Sequence, residues 1–142
     1  MGVLELQRTE VDCGVAALRA ALVFFGIEVT YNKIYRLAET HRINGTDSKN
    51  ILKVLEHFKL NFEVRQTFSN KAAYKQLTDS KYINILCIDE FDHWVVKIGN
   101  HNNLTIIFDP KSGTMALTKR QLLKRWSTSK GETYAIGIWH AS

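Results

Sequence analysis

Two cysteines and five histidines are the side chains from which a nucleophile and a base would be drawn, and few of them stand where they could react. Cys13 lies in "EVDCGVAALRAAL", after a polar strip that ends at Asp12 and directly before a helical run. A cysteine at a helix N-terminus meets unpaired backbone N–H groups and the positive end of the helix dipole, and both favour the thiolate. Gly14, beside it, lets another part of the chain approach closely. The plain alternative for Cys13 is a small buried hydrophobe. Cys87 is the contrast. In "INILCID" it is flanked by Leu86 and Ile88, the setting of a thiol packed inertly in a core strand.

A nucleophilic thiol needs a base. His93 opens a strand-like run right after the acidic turn "DEFD", and a strand start can face a cleft. His41 and His101 fall in polar loops, His57 falls on a helix beside core positions, and His140 is almost at the C-terminus. A cysteine–histidine pair commonly has a third group that fixes the imidazole tautomer. Asp109 ends "LTIIFD", the run that should pair with the one His93 opens. The two residues are 16 apart with polar "NHNN" midway, so an antiparallel register predicts them side by side. Asp109 also reads as a simple Asp-Pro turn former. Gln7, six residues before Cys13, offers a side-chain amide. With the Cys13 backbone N–H it would form an oxyanion hole; alone it reads as a surface polar residue. No histidine or cysteine pair has zinc spacing and there is no HExxH, so neither metal nor cofactor is expected. No GxxxxGK[ST] occurs either, so any ATP-linked step belongs to a partner.

The elements that must position these groups change period halfway along. Residues 13–25 place Val15, Leu18, Leu22 and Phe25 at helical spacing, with Gly26 as the stop. A second helix fits 30–40 with Thr30 as cap and Ile34, Leu37 and Ala38 on one face. A third fits 47–59, capped by Asp47 or Ser48, with Ile51, Leu52, Leu55 and Phe58 inward. "NFEVRQT" then alternates as a half-buried strand, and a short helix fits 70–78. "YINILCID", "HWVVKIG", "LTIIFD" and "TYAIGIWH" read as strands, with "GNHNN" as a hairpin turn and a helix over 118–126. Helices first and antiparallel strands after them predict an α+β fold. It comprises a helical lobe over about 1–60 and a sheet lobe over about 61–142, with a site between them.

At 142 residues with 45% hydrophobic side chains and no Gly/Ser/Pro-rich linker, one packed domain over 1–142 is expected. Two cysteines make no disulfide scaffold and favour a reducing compartment, the cytoplasm. No signal peptide and no run of about 20 apolar residues appears, so no membrane span is expected. The net charge of +5 comes from basic pairs scattered along the chain: Lys71 and Lys75, Lys119 and Arg120, Lys124 and Arg125. That is the pattern of a solvated basic surface. With no RNP-like or zinc-finger motif, no nucleic acid is expected.

Gln7, Cys13, His93 and Asp109, in this order and spacing, resemble the peptidase C39 family. Its members are papain-like cysteine proteases that process bacteriocin and peptide-pheromone precursors. The resemblance rests on "QRTEVDCG", the small-residue helix "VAALRAALVFFG", and the loop and helix "NGTDSKNILKVLEHF". It continues through "HWVVKIG", "IIFDP", Gly113 and Trp126, so it covers almost the whole chain. Two positions depart from the common pattern: Val15 stands where many members have proline, and "YINILCID" lacks one. The resemblance implies the papain-like fold, with Cys13 as nucleophile, His93 as general base and acid, Asp109 as its orienter and Gln7 as oxyanion donor. It implies cleavage of a leader segment after a Gly-Gly type motif. The partners implied are a peptide precursor and an ABC exporter, on the same or a separate chain. Two other readings remain open: a protease-shaped module that binds an export substrate without cutting it, and a cysteine hydrolase acting on a non-leader peptide or amide.

Overall fold

The computed structural model describes residues 3–42, 44–79 and 81–140. Ile43, just before the loop and helix "NGTDSKNILKVLEHF", and the two residues at each end of the expected domain lie outside them.

Three helices come first: α1 Cys13–Phe24, α2 Tyr31–Leu37 and α3 Ser48–His57. Thr30 and Asp47 cap α2 and α3, accepting from the Lys33 and Asn50 N–H groups. α1 departs from the one-faced helix its spacing suggests. Ten of its twelve residues are buried, because helices lie on one side of it and the sheet on the other. The alanines at 16, 17, 20 and 21 form a second inward face, and their small side chains let the helix lie close to its neighbours.

The sheet follows: β1 Asn61–Thr67, β2 Ile83–Ile88, β3 His93–His101, β4 Leu104–Asp109, β5 Gly113–Leu117 and β6 Thr133–Trp139. Between them stand α4 Asn70–Leu77 and α5 Lys119–Trp126. All pairings are antiparallel, in the order β1-β6-β2-β3-β4-β5. The last strand therefore enters the middle of the sheet. β5 has no counterpart in the sequence reading, since "GTMAL" is a short edge strand without a strong apolar alternation. The hairpin turn is also tighter than "GNHNN": β3 runs on to His101, and only Asn102 and Asn103 turn, at φ 48° and 66°. Asparagine tolerates the left-handed region that a two-residue hairpin demands.

Both faces of the sheet are covered. Ile85, Cys87, Trp94, Val96, Phe108 and Ile136 pack under α1–α3. Their alternates, Leu86, Ile88, Val95, Ile107 and Ala135, pack under α4 and α5. Burial on both faces explains why "YINILCID" is a continuous apolar run rather than an alternating one. The basic pairs that look scattered in sequence all fall on α4 and α5, which contain no acidic residue. Lys119 ties the two helices together, its ammonium 4.8 Å from the Tyr74 ring centre. No helix among the described residues is long and apolar enough to cross a membrane.

Candidate active site

Cys13 is the first residue of α1 and is buried. Asp12 precedes it at the N-cap, yet its side chain does not bond back to the helix. Its carboxylate instead accepts the Thr9 N–H at 2.7 Å, the Thr9 hydroxyl at 2.6 Å and the Tyr31 hydroxyl. Burial alone would raise this carboxyl's pKa, but the Thr9 and Tyr31 hydrogen bonds outweigh it and hold the group below its ordinary range. Two consequences follow. The loop leading to Cys13 is pinned to α2, and the first-turn N–H groups are not consumed by a capping side chain. Neither role was legible in the sequence, where Asp12 read as the end of a polar strip.

His93 opens β3. Its Nε2 lies 2.6 Å from Asp109 Oδ1, and both side chains are largely buried, 14% and 4% exposed. A carboxylate at Nε2 fixes the proton there and leaves Nδ1 as the other ring nitrogen, while Cys13 lies near enough to the ring to favour its charged form. Asp109 Oδ1 accepts the Lys111 N–H as well, at 2.8 Å. Burial works against a charged imidazole, but the bonds to Cys13 and Asp109 prevail and push His93 up to about 9. At neutral pH the ring is an imidazolium, set between Cys13 and the Asp109 carboxylate.

The register that brings His93 to Asp109 is not the one the spacing suggests. From the turn, His101 pairs with Leu104 and Gly99 with Ile106. Continued unbroken, this ladder would set Asp109 across from Val96, on the side of the sheet opposite to His93. A β-bulge at Ile98 intervenes, after which Lys97 pairs with Ile107 and Val96 with Phe108. The shift places Asp109 across from Val95, on the same side as His93 and one diagonal step away. The antiparallel pairing alone does not join the two residues; the extra residue does.

Gln7 lies against the end of β4, its backbone N–H donating to Pro110 O at 2.8 Å. Its side-chain nitrogen donates one N–H to Thr9 O at 2.7 Å, and among the described residues no acceptor is recorded for the second N–H of the amide. Its Oε1 is buried without a partner among the described residues. The structure thus brings all four residues to one end of the sheet. Cys87 lies across from Trp94 and Tyr134 and is 4% exposed. Burial, with smaller contributions from the neighbouring Cys13, Asp92 and Asp89, pushes its thiol up to about 12.

A cleft of about 480 Å³ adjoins the start of α1, lined by Thr46, Asp47, Cys87, Phe91, Trp94 and Tyr134 among others. The Trp94 indole N–H donates to Thr46 O at 3.1 Å. A Cβ on Gly14 would stand 2.8 Å from Thr46 Cβ and 3.4 Å from Trp94 Cδ1, so this wall of the cleft needs glycine after the cysteine. The turn before His93 is unusual. Asp89, Glu90 and Phe91 all take left-handed backbone, at φ 52°, 58° and 63°, and none is glycine. Each such residue costs about 1–2 kcal/mol unless its surroundings hold it. Among the described residues, no group of three or more histidine, cysteine or acidic side chains is placed to hold a metal ion.

A thiol at a helix start, a buried imidazole against it and a carboxylate behind the imidazole, beside a cleft, define a cysteine peptidase of papain-like fold. The comparisons agree. The solved structure of a double glycine motif protease from an AMS/PCAT transporter, in complex with a leader peptide, matches with TM-score 0.82 over 98% of this chain and 91% of that one, at 17% identity. The peptidase domain of Streptococcus ComA matches with TM-score 0.76 over 97% and 98% of the two chains, at 21% identity. The pediocin PA-1 transport/processing ATP-binding protein PedD of Pediococcus acidilactici is 28% identical over 123 residues. That match covers 85% of this chain and 17% of PedD. Residues 3–130 match the peptidase C39 family, and the chain belongs to it.

Proposed function

We propose that this chain cuts leader segments from peptide precursors after a Gly-Gly type motif, on the cytoplasmic side of a membrane and in the service of an ABC exporter on the same or a separate chain. The observation that carries this reading is the buried His93–Asp109 hydrogen bond at 2.6 Å with Cys13, the first residue of α1, near the ring. The Cys13 thiolate attacks the scissile carbonyl and forms the C–S bond. The Cys13 N–H and the Gln7 amide stabilise the oxyanion. The C–N bond breaks as the His93 imidazolium gives its proton to the leaving amine. Neutral His93 then takes a proton from water, whose oxygen attacks the thioester and releases the thiol. Asp109 holds the ring in the tautomer this sequence of steps needs. The names of the relatives support the substrate class: PedD is a transport/processing protein, and one solved neighbour holds a leader peptide.

The test is intact mass after treating the reduced protein with a chloromethyl ketone ending in Gly-Gly. One adduct is expected, on Cys13, with Cys87 unmodified because its thiol, pushed up to about 12, is not ionised. No adduct on the folded protein, or an adduct on Cys87, defeats the proposal. His93 is raised from 6.5 to about 9, so its proton-donating form persists through neutral pH and is lost above about 9. The kcat/KM profile should fall on the alkaline side with a midpoint near 9; a fall near 6.5 would separate the ring from its two partners.

A further inference from the structure

The left-handed turn 89–91 ends two residues before His93, and its own sequence does not favour it. Asp89 tolerates that backbone, whereas Glu90 and Phe91 do so poorly. What holds the turn comes from the other end of the chain. The Arg125 guanidinium grips the Asp89 carboxylate with two N–H groups, Nε at 3.2 Å and Nη2 at 2.8 Å. The Arg125 carbonyl accepts the Asp89 N–H at 2.8 Å. The Ser129 N–H donates to the Glu90 carboxylate at 2.7 Å. Arg125 is itself a fixed point, because the next residue, Trp126, is buried and its indole N–H donates to Tyr134 O at 3.0 Å. Its charge also reaches Asp109.

We propose that Arg125 is a positioning residue for the His93–Asp109 pair, acting by clamping the left-handed turn through which the chain enters β3. An exposed ion pair ordinarily does little. This one differs because it grips one residue by both side chain and backbone, and that residue starts a strained turn. When the clamp opens, the turn relaxes toward ordinary backbone, and the first residue of β3 shifts with it. The inference rests on the cysteine-peptidase reading of the site.

The test needs no peptide substrate. Iodoacetamide alkylates the thiolate activated by His93, and the adduct is located on the Cys13 peptide by mass. Arg125→Gln should lower that rate about tenfold at neutral pH, since small displacements of a catalytic group cost large factors. The deficit should close as pH rises and the thiol ionises without help. Adding Glu90→Gly to Arg125→Gln should bring the neutral rate back to within about threefold of wild type, because glycine takes left-handed backbone unaided. Lys124→Gln, on the same helix, should change nothing. If Arg125→Gln does not fold, Asp89→Ala carries the same expectation with the same rescue. A wild-type rate in the clamp variant overturns the proposal, and so does a loss that Glu90→Gly leaves uncorrected. A wild-type thiol no faster than free cysteine would remove the cysteine-peptidase reading itself, and the proposal with it.

Discussion

Replacing Cys13 by alanine is expected to abolish peptide cleavage, by about ten-thousandfold or more, while a labelled leader peptide still binds with nearly unchanged affinity. The magnitude follows from the absence of a substitute among the sulfur side chains. Cys87 lines the same cleft, but burial pushes its thiol up to about 12. The substitution is structurally mild. Alanine is a good helix former, and the buried sulfur it removes is worth about 1 kcal/mol of packing. Single-turnover cleavage and fluorescence anisotropy on the same preparation separate chemistry from docking. Turnover retained in the variant would remove Cys13 from the role of nucleophile. Binding lost together with turnover, in a variant that melts like wild type, would mean that the sulfur serves docking.

Removing the Asp109 carboxylate with alanine should lower kcat about a hundredfold or more. The reason is local. The carboxylate is 4% exposed and accepts both the His93 Nε2–H and the Lys111 N–H, so its loss frees the imidazole tautomer and strands a backbone donor. The alkaline limb should move down from about 9 toward 6.5, since one of the two partners that raise the ring is gone. Asp109→Asn separates shape from charge. Its amide oxygen still accepts from His93, so the loss in kcat should be smaller, while the limb still moves down. An unmoved limb in both variants would show that Asp109 does not govern the ring. A thermal melt beside each assay isolates the stability effect of the stranded donor.

Four residues with compatible chemistry were legible in the chain before any fold was known, for reasons that are local. Cys13 stands at the start of a periodic run, His93 and Asp109 bound two apolar runs, and Gln7 precedes the cysteine within one loop. The helices α1–α5 were legible in the same way, because caps such as Thr30 and Asp47 act on N–H groups two or three residues on. So were the alternating strand β1 and the apolar strands β2, β3, β4 and β6.

The rest depends on contacts between distant parts of the chain. Asp12 holds Tyr31, Arg125 holds Asp89, and β6 enters the sheet between β1 and β2. No periodicity within a window of residues records those pairings. The hairpin shows the division most sharply. The sequence by itself determined that a histidine and an aspartate would lie on neighbouring antiparallel strands. Whether they lie on the same side of the sheet turns on a single bulge at Ile98. Side chains alternate with period two, so one extra residue reverses the side of everything beyond it. Only the hydrogen-bonded ladder of the folded sheet decides where that residue goes.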